Sequence, residues 1–317
     1  MTTPSAEPFA ESLIEVDGRA VRVLEAGAGP AVLLLHGAAP GQSPWCGSAD
    51  LWGPFAGLLV AAGCRVIAID RPGAGGSAAR AVDDLTYGAV AGAVAGVAAA
   101  RGLGPVHLVG HGPGGLVALL LARAGQHDLA VRSATVLNSP EVTPTGDMAM
   151  DVALLHPPAP GGTAASQLWA MGRLSFDNHH LDGLGPLLSR LAAAPANAAA
   201  AAIAADQAAD ARLRGDLLSA KGQVFAHARD HGYDVPIQLI WGANDPSSPP
   251  PFAVATLNYL ATTTAELSLS FVNRAGHFAF REKPGEVAGL VSGFVARFAA
   301  GRDAPAPVTR VPAGEPA

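Results

Sequence analysis

The chain has few cysteines, few lysines and few aromatic residues, and two of these shortages exclude classes of protein. Its 317 residues include two cysteines, Cys46 and Cys64, which are too few for a disulfide framework and lack the paired spacing of a zinc site. Lys221 and Lys283 are the only lysines and the net charge is −6, so no basic stripe is present. We therefore expect no nucleic-acid partner and no metal site.

The sequence also lacks a long apolar run and a recognisable leader. Its longest apolar run, residues 89–100, is too short to span a bilayer. Residues 1–11 show no charged segment followed by an apolar one, which an export signal would need. These absences predict a cytoplasmic protein with no membrane partner, and the length suits one large α/β domain or two small ones.

Short apolar runs alternate with longer segments of helical period, which is typical of a sheet covered by helices on both faces. The predicted strands are residues 13–16, 21–24, 31–35, 65–69, 106–109, 131–137, 237–240 and 267–272. The predicted helices are residues 51–62, 85–101, 114–124, 252–260 and 284–298. Asp17-Gly18 favours an edge hairpin between the first two strands. The sequence therefore predicts a doubly wound, mainly parallel α/β sheet.

The alternation breaks between residues 141 and 234, where Ala-rich helical pieces are interrupted by prolines and no strand-like run occurs. Because two predicted strands follow, we interpret this stretch as a lid inserted into one domain. The predicted organisation is a first core part at 1–140, a helical lid at 141–234, a second core part at 235–299 and a flexible tail at 300–317. The tail carries four prolines and no apolar periodicity.

Polar and glycine-rich loops follow three of the predicted strands. They read HGAAPG at 36–41, GHGPGG at 110–115, and WGAND at 241–245 with Gly276-His277 further on. With these loops the chain resembles the α/β-hydrolase family over roughly residues 13–298, which implies an α/β-hydrolase fold. Ser43 and Trp45 after the first loop make it most similar to the meta-cleavage-product hydrolases, which split carbon-carbon bonds of vinylogous diketones.

The chain departs from the family at the nucleophile. Family members carry Gly-x-Ser-x-Gly on a strained turn that presents serine to a histidine oriented by an acid. Gly112 stands at the serine position, so no acyl-enzyme can form there. Pro113 follows and lacks the backbone N–H that would donate to an oxyanion, a loss that typically costs about two to three orders of magnitude in rate. An engineered inactive form would have only the serine replaced, by glycine. The additional difference at Pro113 therefore favours a natural difference from the family.

The base and the acid that orients it in this family are matched by His277 and Asp245. A carboxylate bonded to one ring nitrogen fixes the tautomer and leaves the other nitrogen to take a proton. Glu141, after the sixth predicted strand, is a rival acid. Gly112 makes room beside the base for water, dioxygen or a bulkier substrate. The alternative interpretation is a relic pair that only stabilises the loops.

Residues predicted to meet a substrate lie in the first loop, beside the elbow and in the lid. Ala38 and Ala39 are candidate backbone donors to an oxyanion. Similar hydrolases carry a lid arginine for the substrate carboxylate, and Arg190 lies in an approximately matching stretch. The predicted substrate-binding residues are Ser43, Trp45, His111, Pro113, Trp169, Phe176, His179, Arg190 and Phe278. His111 and Phe278 replace the Asn and Trp usual in the carbon-carbon hydrolases, which leaves the substrate open.

A dinucleotide-binding pattern is the competing interpretation of the same elbow, because Gly110, Gly112 and Gly115 have the required spacing. Pro113 removes an N–H that would face the pyrophosphate, and no acid ends the next predicted strand. We therefore predict that no cofactor is used.

The function predicted from the residues and the resemblance is non-covalent acid/base chemistry on a small apolar carbonyl metabolite. It covers water-mediated hydrolysis and lyase, cyclase or isomerase reactions. A cofactor-independent dioxygenase and a non-catalytic ligand-binding protein are the alternatives, and homodimer formation is left open. Abundant Ala, Gly and Arg with scarce Lys favours a GC-rich genome and specialised metabolism.

Overall fold

Eight strands form one sheet in the computed structural model, which describes residues 9–40, 43–123, 125, 127–144, 158 and 162–299. The strands are β1 (Ala10–Val16), β2 (Arg19–Ala26), β3 (Ala31–Leu35), β4 (Arg65–Ile69), β5 (Val106–His111), β6 (Val131–Leu137), β7 (Ile237–Gly242) and β8 (Leu267–Val272). Their order across the sheet is β1-β2-β4-β3-β5-β6-β7-β8. β1 pairs antiparallel with β2 and β2 with β4, and all other pairs are parallel.

The central strands are covered by helices on both faces, which is why their runs are apolar at successive positions. Every residue of β5 and β7 is buried. The helices are α1 (Gly53–Ala61), α2 (Tyr87–Ala100), α3 (Pro113–Leu121), α4 (Ala164–Leu174), α5 (Gly185–Ala193), α6 (Pro195–Ala204), α7 (Gln207–Asp230), α8 (Pro250–Ala261), α9 (Ala279–Glu282) and α10 (Pro284–Ala299). One core cluster includes α2, α3, α7 and α8, a second includes α1, α4, α5, α9 and α10, and a third, smaller one includes α6.

The predicted fold class is confirmed, and the differences lie at the ends of elements. All eight predicted strands are present, but β1 begins at Ala10, because polar residues at this edge still pair with β2. The helices predicted from 51 and 85 begin instead with the 3-10 turns Ala49–Trp52 and Val82–Leu85. α9 was not predicted, since four residues are too few to show a period.

The segment predicted as a lid contains α4 to α7 and no strand among its described residues. Pro186 and Pro195 lie in the first turns of α5 and α6, where the missing N–H has no helical partner to lose. α7 packs its Val224 and Ala228 into the core cluster that includes α3. Residues 145–157 and 159–161, and the predicted tail at 300–317, lie outside the described residues.

Among the described helices, none is by itself long and apolar enough to cross a membrane. Only the pair α5 and α6, bent by 64°, passes that test together, by length and composition.

Arg22 holds a buried ion-pair network at one side of the sheet. Its guanidinium donates to Asp70 at 3.1 Å, to Asp50 at 2.9 Å and to Glu11 at 2.7 Å. Asp70 also accepts the backbone N–H of Gly76 at 2.8 Å, which fixes the loop after β4. The network therefore joins β1, β2, the β4 loop and the turn before α1.

We expect Arg22→Met to lower the free energy of unfolding by about 3–5 kcal/mol, because the fully buried Asp70 carboxylate would lose its cation. Chemical denaturation measures the loss. Arg214→Met, which removes an exposed pair with Asp210, is the matched control and should change stability by less than about 1 kcal/mol. Equal effects of the two variants would contradict the assignment.

Candidate active site

The turn between β5 and α3 is made by Gly112 alone. Its φ of +50° and ψ of −126° lie where residues with a side chain are strained. The Gly112 N–H donates to Leu137 O at 3.1 Å, and its carbonyl accepts the N–H of Gly115 at 2.8 Å. The chain thus forms a sharp strand-to-helix elbow at the position that carries no nucleophile.

Packing explains the flanking glycines but not Gly112 itself. A Cβ on Gly110 or on Gly114 would lie 2.1 Å from a backbone oxygen. A Cβ on Gly112 would have ordinary contacts, at 3.7 Å from Gly37 Cα and 3.8 Å from His277 Nε2. A side chain at position 112 would therefore point towards Nε2 of His277, but glycine has none.

His277 is brought together with Asp245, as the sequence predicts. Nδ1 of His277 lies 3.0 Å from Oδ2 of Asp245, and the two side chains are 4% and 0% exposed. The other oxygen, Oδ1, accepts the N–H of Ser247 at 2.9 Å, the Ser247 hydroxyl at 2.7 Å and the N–H of Ser248 at 3.1 Å. The carboxylate thereby places the Nδ1 hydrogen, and Nε2 is the nitrogen that faces Gly112.

Asn138 is a site residue that sequence reasoning missed. Its Nδ2 donates to Asp245 Oδ2 at 2.9 Å, and its Oδ1 accepts the N–H of Gly242 at 3.3 Å. Asn138 directly follows β6 with a φ of +40°, a conformation that asparagine tolerates better than most residues. Its position directly after a parallel strand is the sequence feature that would have predicted it as a site residue. Ser247, two residues after the acid, carried the signal of an Asx turn.

An aromatic shell surrounds the His277 ring. Ring centroids lie 4.6 Å away for His111, 5.2 Å for Phe278 and 5.7 Å for Trp45. His111 Nε2 lies 3.0 Å from the His277 carbonyl oxygen, to which it donates. Burial, followed by the neighbouring His277, lowers the His111 pKa well below its ordinary value. A neutral, packed His111 therefore positions the base.

One of the two candidate oxyanion donors in the first loop already makes a hydrogen bond within that loop. The N–H of Ala39 donates to the Ser43 hydroxyl at 3.1 Å, and Ser43 N–H donates back to Ala39 O at 2.9 Å. This corrects the prediction for Ala39, whose N–H is used within the loop. Ala38, with a φ of +68°, stays the candidate. Pro113 begins α3 and offers no backbone donor.

The lid residues predicted to touch a substrate are mostly directed elsewhere. Phe176 is 45% exposed and stacks with Arg274, and the His179 side chain is 88% exposed. The prediction that Arg190 binds substrate is corrected most clearly. Its guanidinium donates to Asp50 at 3.1 Å and so joins the Arg22 network. Trp169 is half-buried beneath Arg173.

Glu141 is not paired with the base but with Ser139. The Ser139 hydroxyl lies 2.6 Å from Gly112 O and 3.1 Å from Glu141 Oε2. One hydroxyl has one hydrogen, and the shorter contact to a carbonyl requires it. The Glu141 carboxyl is buried, and this burial raises its pKa above the ordinary value. The rival acid therefore contacts the hydroxyl that holds the elbow and does not contact the base.

No group of three or more His, Cys, Asp or Glu side chains among the described residues could hold a metal ion.

Residues 32–290 match the model of the alpha/beta hydrolase family, and the chain belongs to that family. It is 41% identical over 102 residues to 2-hydroxy-6-oxo-6-phenylhexa-2,4-dienoate hydrolase of Burkholderia cepacia, over 32% of this chain and 34% of that protein. It is 37% identical over 102 residues to 2-hydroxy-6-oxononadienedioate/2-hydroxy-6-oxononatrienedioate hydrolase of Comamonas testosteroni, with the same coverage. The matches span about a third of the length of these curated relatives.

Solved structures share the fold over nearly the whole chain. The 2-hydroxy-6-oxo-6-phenylhexa-2,4-dienoate hydrolase of Rhodococcus sp. strain RHA1 superposes with a TM-score of 0.69 at 18% identity, over 91% of this chain and 99% of that one. The epoxide hydrolase CorEH superposes with a TM-score of 0.63 at 18% identity, with the same coverage. At these identities the comparison supports the α/β-hydrolase fold alone.

We expect Glu141→Gln to change the pH dependence of stability. A carboxyl group whose pKa is raised by folding stabilises the fold fully below its unfolded pKa, and this contribution is lost as pH rises through the folded pKa. Glutamine can donate to Ser139 at every pH, so the variant should match wild type in acid and exceed it at neutral pH. The gain is about 1.4 kcal/mol for each unit by which the pKa is raised.

Denaturation curves at several pH values measure this difference. Glu15→Gln, at an exposed position of β1, is the control. A variant less stable than wild type at neutral pH would contradict a raised Glu141 pKa.

Proposed function

We propose that this chain is an enzyme that uses His277, oriented by Asp245, for non-covalent acid/base chemistry on a small apolar carbonyl compound. One observation supports the proposal most. Nε2 of His277 lies 3.8 Å from where a Cβ on Gly112 would be, so it faces a residue that has no side chain. A buried base that faces such a position can act on a water or a substrate group held there.

The dyad supplies proton transfer in both directions. Nε2 of His277 takes a proton, and the resulting imidazolium is stabilised by the Asp245 carboxylate 3.0 Å from Nδ1. The same nitrogen then returns the proton to the leaving group. Trp45, His111 and Phe278 shield the ring from water and give the substrate an apolar environment.

Hydrolysis without a serine intermediate is the reaction that best connects this geometry with the relatives. His277 deprotonates a water, whose oxygen bonds to a substrate carbonyl carbon and forms a tetrahedral adduct. The adduct collapses with cleavage of the adjacent carbon-carbon bond, and the released carbanion takes the proton from the imidazolium. Direct deprotonation of the substrate by the same base begins an elimination, cyclisation or isomerisation. The imidazolium then returns the proton to the leaving group or to the product.

We expect a fluorophosphonate probe not to label the protein, because Gly112 has no hydroxyl. We also expect the native gene replaced by a His277→Gln copy to accumulate a precursor, detected by mass spectrometry of cell extracts. A missing product heavier by one water, or two fragments that sum to precursor plus water, indicates hydrolysis. A missing product of equal mass indicates isomerisation or cyclisation.

His179→Gln is the matched control, since this exposed histidine lies outside the site. Stoichiometric fluorophosphonate labelling at a serine would overturn the proposal. An unchanged metabolite profile in the His277→Gln strain would favour a ligand-binding protein instead.

A second experiment separates the two missing parts of the serine mechanism. Gly112→Ser alone should give little hydrolysis of p-nitrophenyl acetate, because Pro113 still lacks its donor. Gly112→Ser combined with Pro113→Ala should raise that esterase rate by about two to three orders of magnitude over the single variant. Equal rates for the two would show that the N–H at position 113 plays no part at this elbow.

A further inference from the structure

A small cavity lies beside His111, against the aromatic shell of the dyad. His111, Phe278, Trp52, Phe280, Met171 and Arg281 are among its lining residues. Its volume is about 10 Å³, which is room for a single water or monatomic ion. The lining is aromatic and apolar except for a few nitrogen groups, and these determine what the cavity can bind.

Arg281 brings a positive charge to the cavity without a matching negative charge. Its Nη1 donates to Leu51 O and its Nη2 to His180 O at 3.2 Å, both of which are neutral carbonyls. It forms no ion pair with a described carboxylate, and its buried Nε has no hydrogen-bond partner. Burial lowers the Arg281 pKa to about 10. Such a cation is poorly compensated by the part of the protein that the structure describes.

Trp52 adds a second unsatisfied donor to the same cavity. The residue is 1% exposed, and its ring packs 4.6 Å from Phe280 and 5.5 Å from Phe55. Its buried Nε1 has no hydrogen-bond partner. Buried indole N–H groups nearly always find an acceptor, and the two residues that carry these unpaired donors both line this cavity.

We propose that this cavity, which Trp52 and Arg281 both line, binds a halide ion. A single anionic acceptor would satisfy both N–H groups and compensate the guanidinium charge. A water could accept the hydrogen bonds but would leave the charge uncompensated. A metal cation is excluded by Arg281, and phosphate or sulfate by the size of the cavity.

The proposed anion site adjoins the dyad without belonging to it. Trp45, His111 and Phe278 line the cavity and also contact the His277 ring, so one layer of side chains separates the anion from the base. An anion there would hold this layer in place. It would also act electrostatically on His277 through a medium of low dielectric constant.

Thermal unfolding of the full chain tests the proposal in chloride, bromide, formate and acetate, each compared with gluconate at equal ionic strength. We expect a saturable rise in Tm with chloride and bromide, and none with formate, acetate or gluconate. A rise with formate or acetate as large as that with chloride would contradict a site of this size. Crystals soaked in bromide should show anomalous density in the cavity that Trp52 and Arg281 line.

Trp52→Phe keeps an aromatic ring and removes the N–H, and we expect it to weaken anion binding about tenfold or more. Arg281→Gln should abolish the response. Trp169→Phe and Arg173→Gln, on the lid helix α4, are the matched controls and should bind as wild type does. A response equal to that in gluconate, or one that both Trp52→Phe and Arg281→Gln retain, would overturn the proposal. No substrate is used, so the outcome is independent of the proposed reaction.

Discussion

The buried carboxylate of Asp245 is the centre on which the site depends. It is inaccessible to solvent, and a charge in that position persists only when donors surround it. Asn138 supplies one donor from the end of β6, the Ser247–Ser248 turn supplies three after β7, and His277 supplies one after β8. Three neighbouring strand ends are thus fixed relative to one another, and the orientation of the imidazole follows from this.

The elbow lies beside His277 at the end of a fourth strand, β5. Here the backbone geometry of a nucleophile turn is present without a nucleophile. Gly112 has the backbone conformation of a nucleophile turn, and its carbonyl is held by Ser139 and Gly115. The position that faces Nε2 is shaped and supported but carries no reacting group. The structure thus holds the His277 imidazole beside a residue that has no side chain.

Much of this arrangement could be predicted from the sequence, because it follows from chain order. Parallel strands end at one edge of a sheet, so His277 and Asp245, each following a strand, could be expected to meet. The lid contacts could not be predicted in this way. Arg190 looks equally suited to a substrate or to a carboxylate until the packing of α5 places it beside Asp50. That Trp52 and Arg281 line one cavity depends likewise on tertiary packing across most of the chain.

The backbone at the elbow also bears on how such a site evolves. A residue with a side chain held at the φ of Gly112 stores strain on the order of 1–3 kcal/mol, which glycine relieves. Serine at this position would therefore be less stable than glycine. Pro113 adds a second constraint, because a serine hydroxyl at position 112 would still lack an N–H on the next residue. An elbow with both groups would need both residues to change, and the first change alone would cost stability.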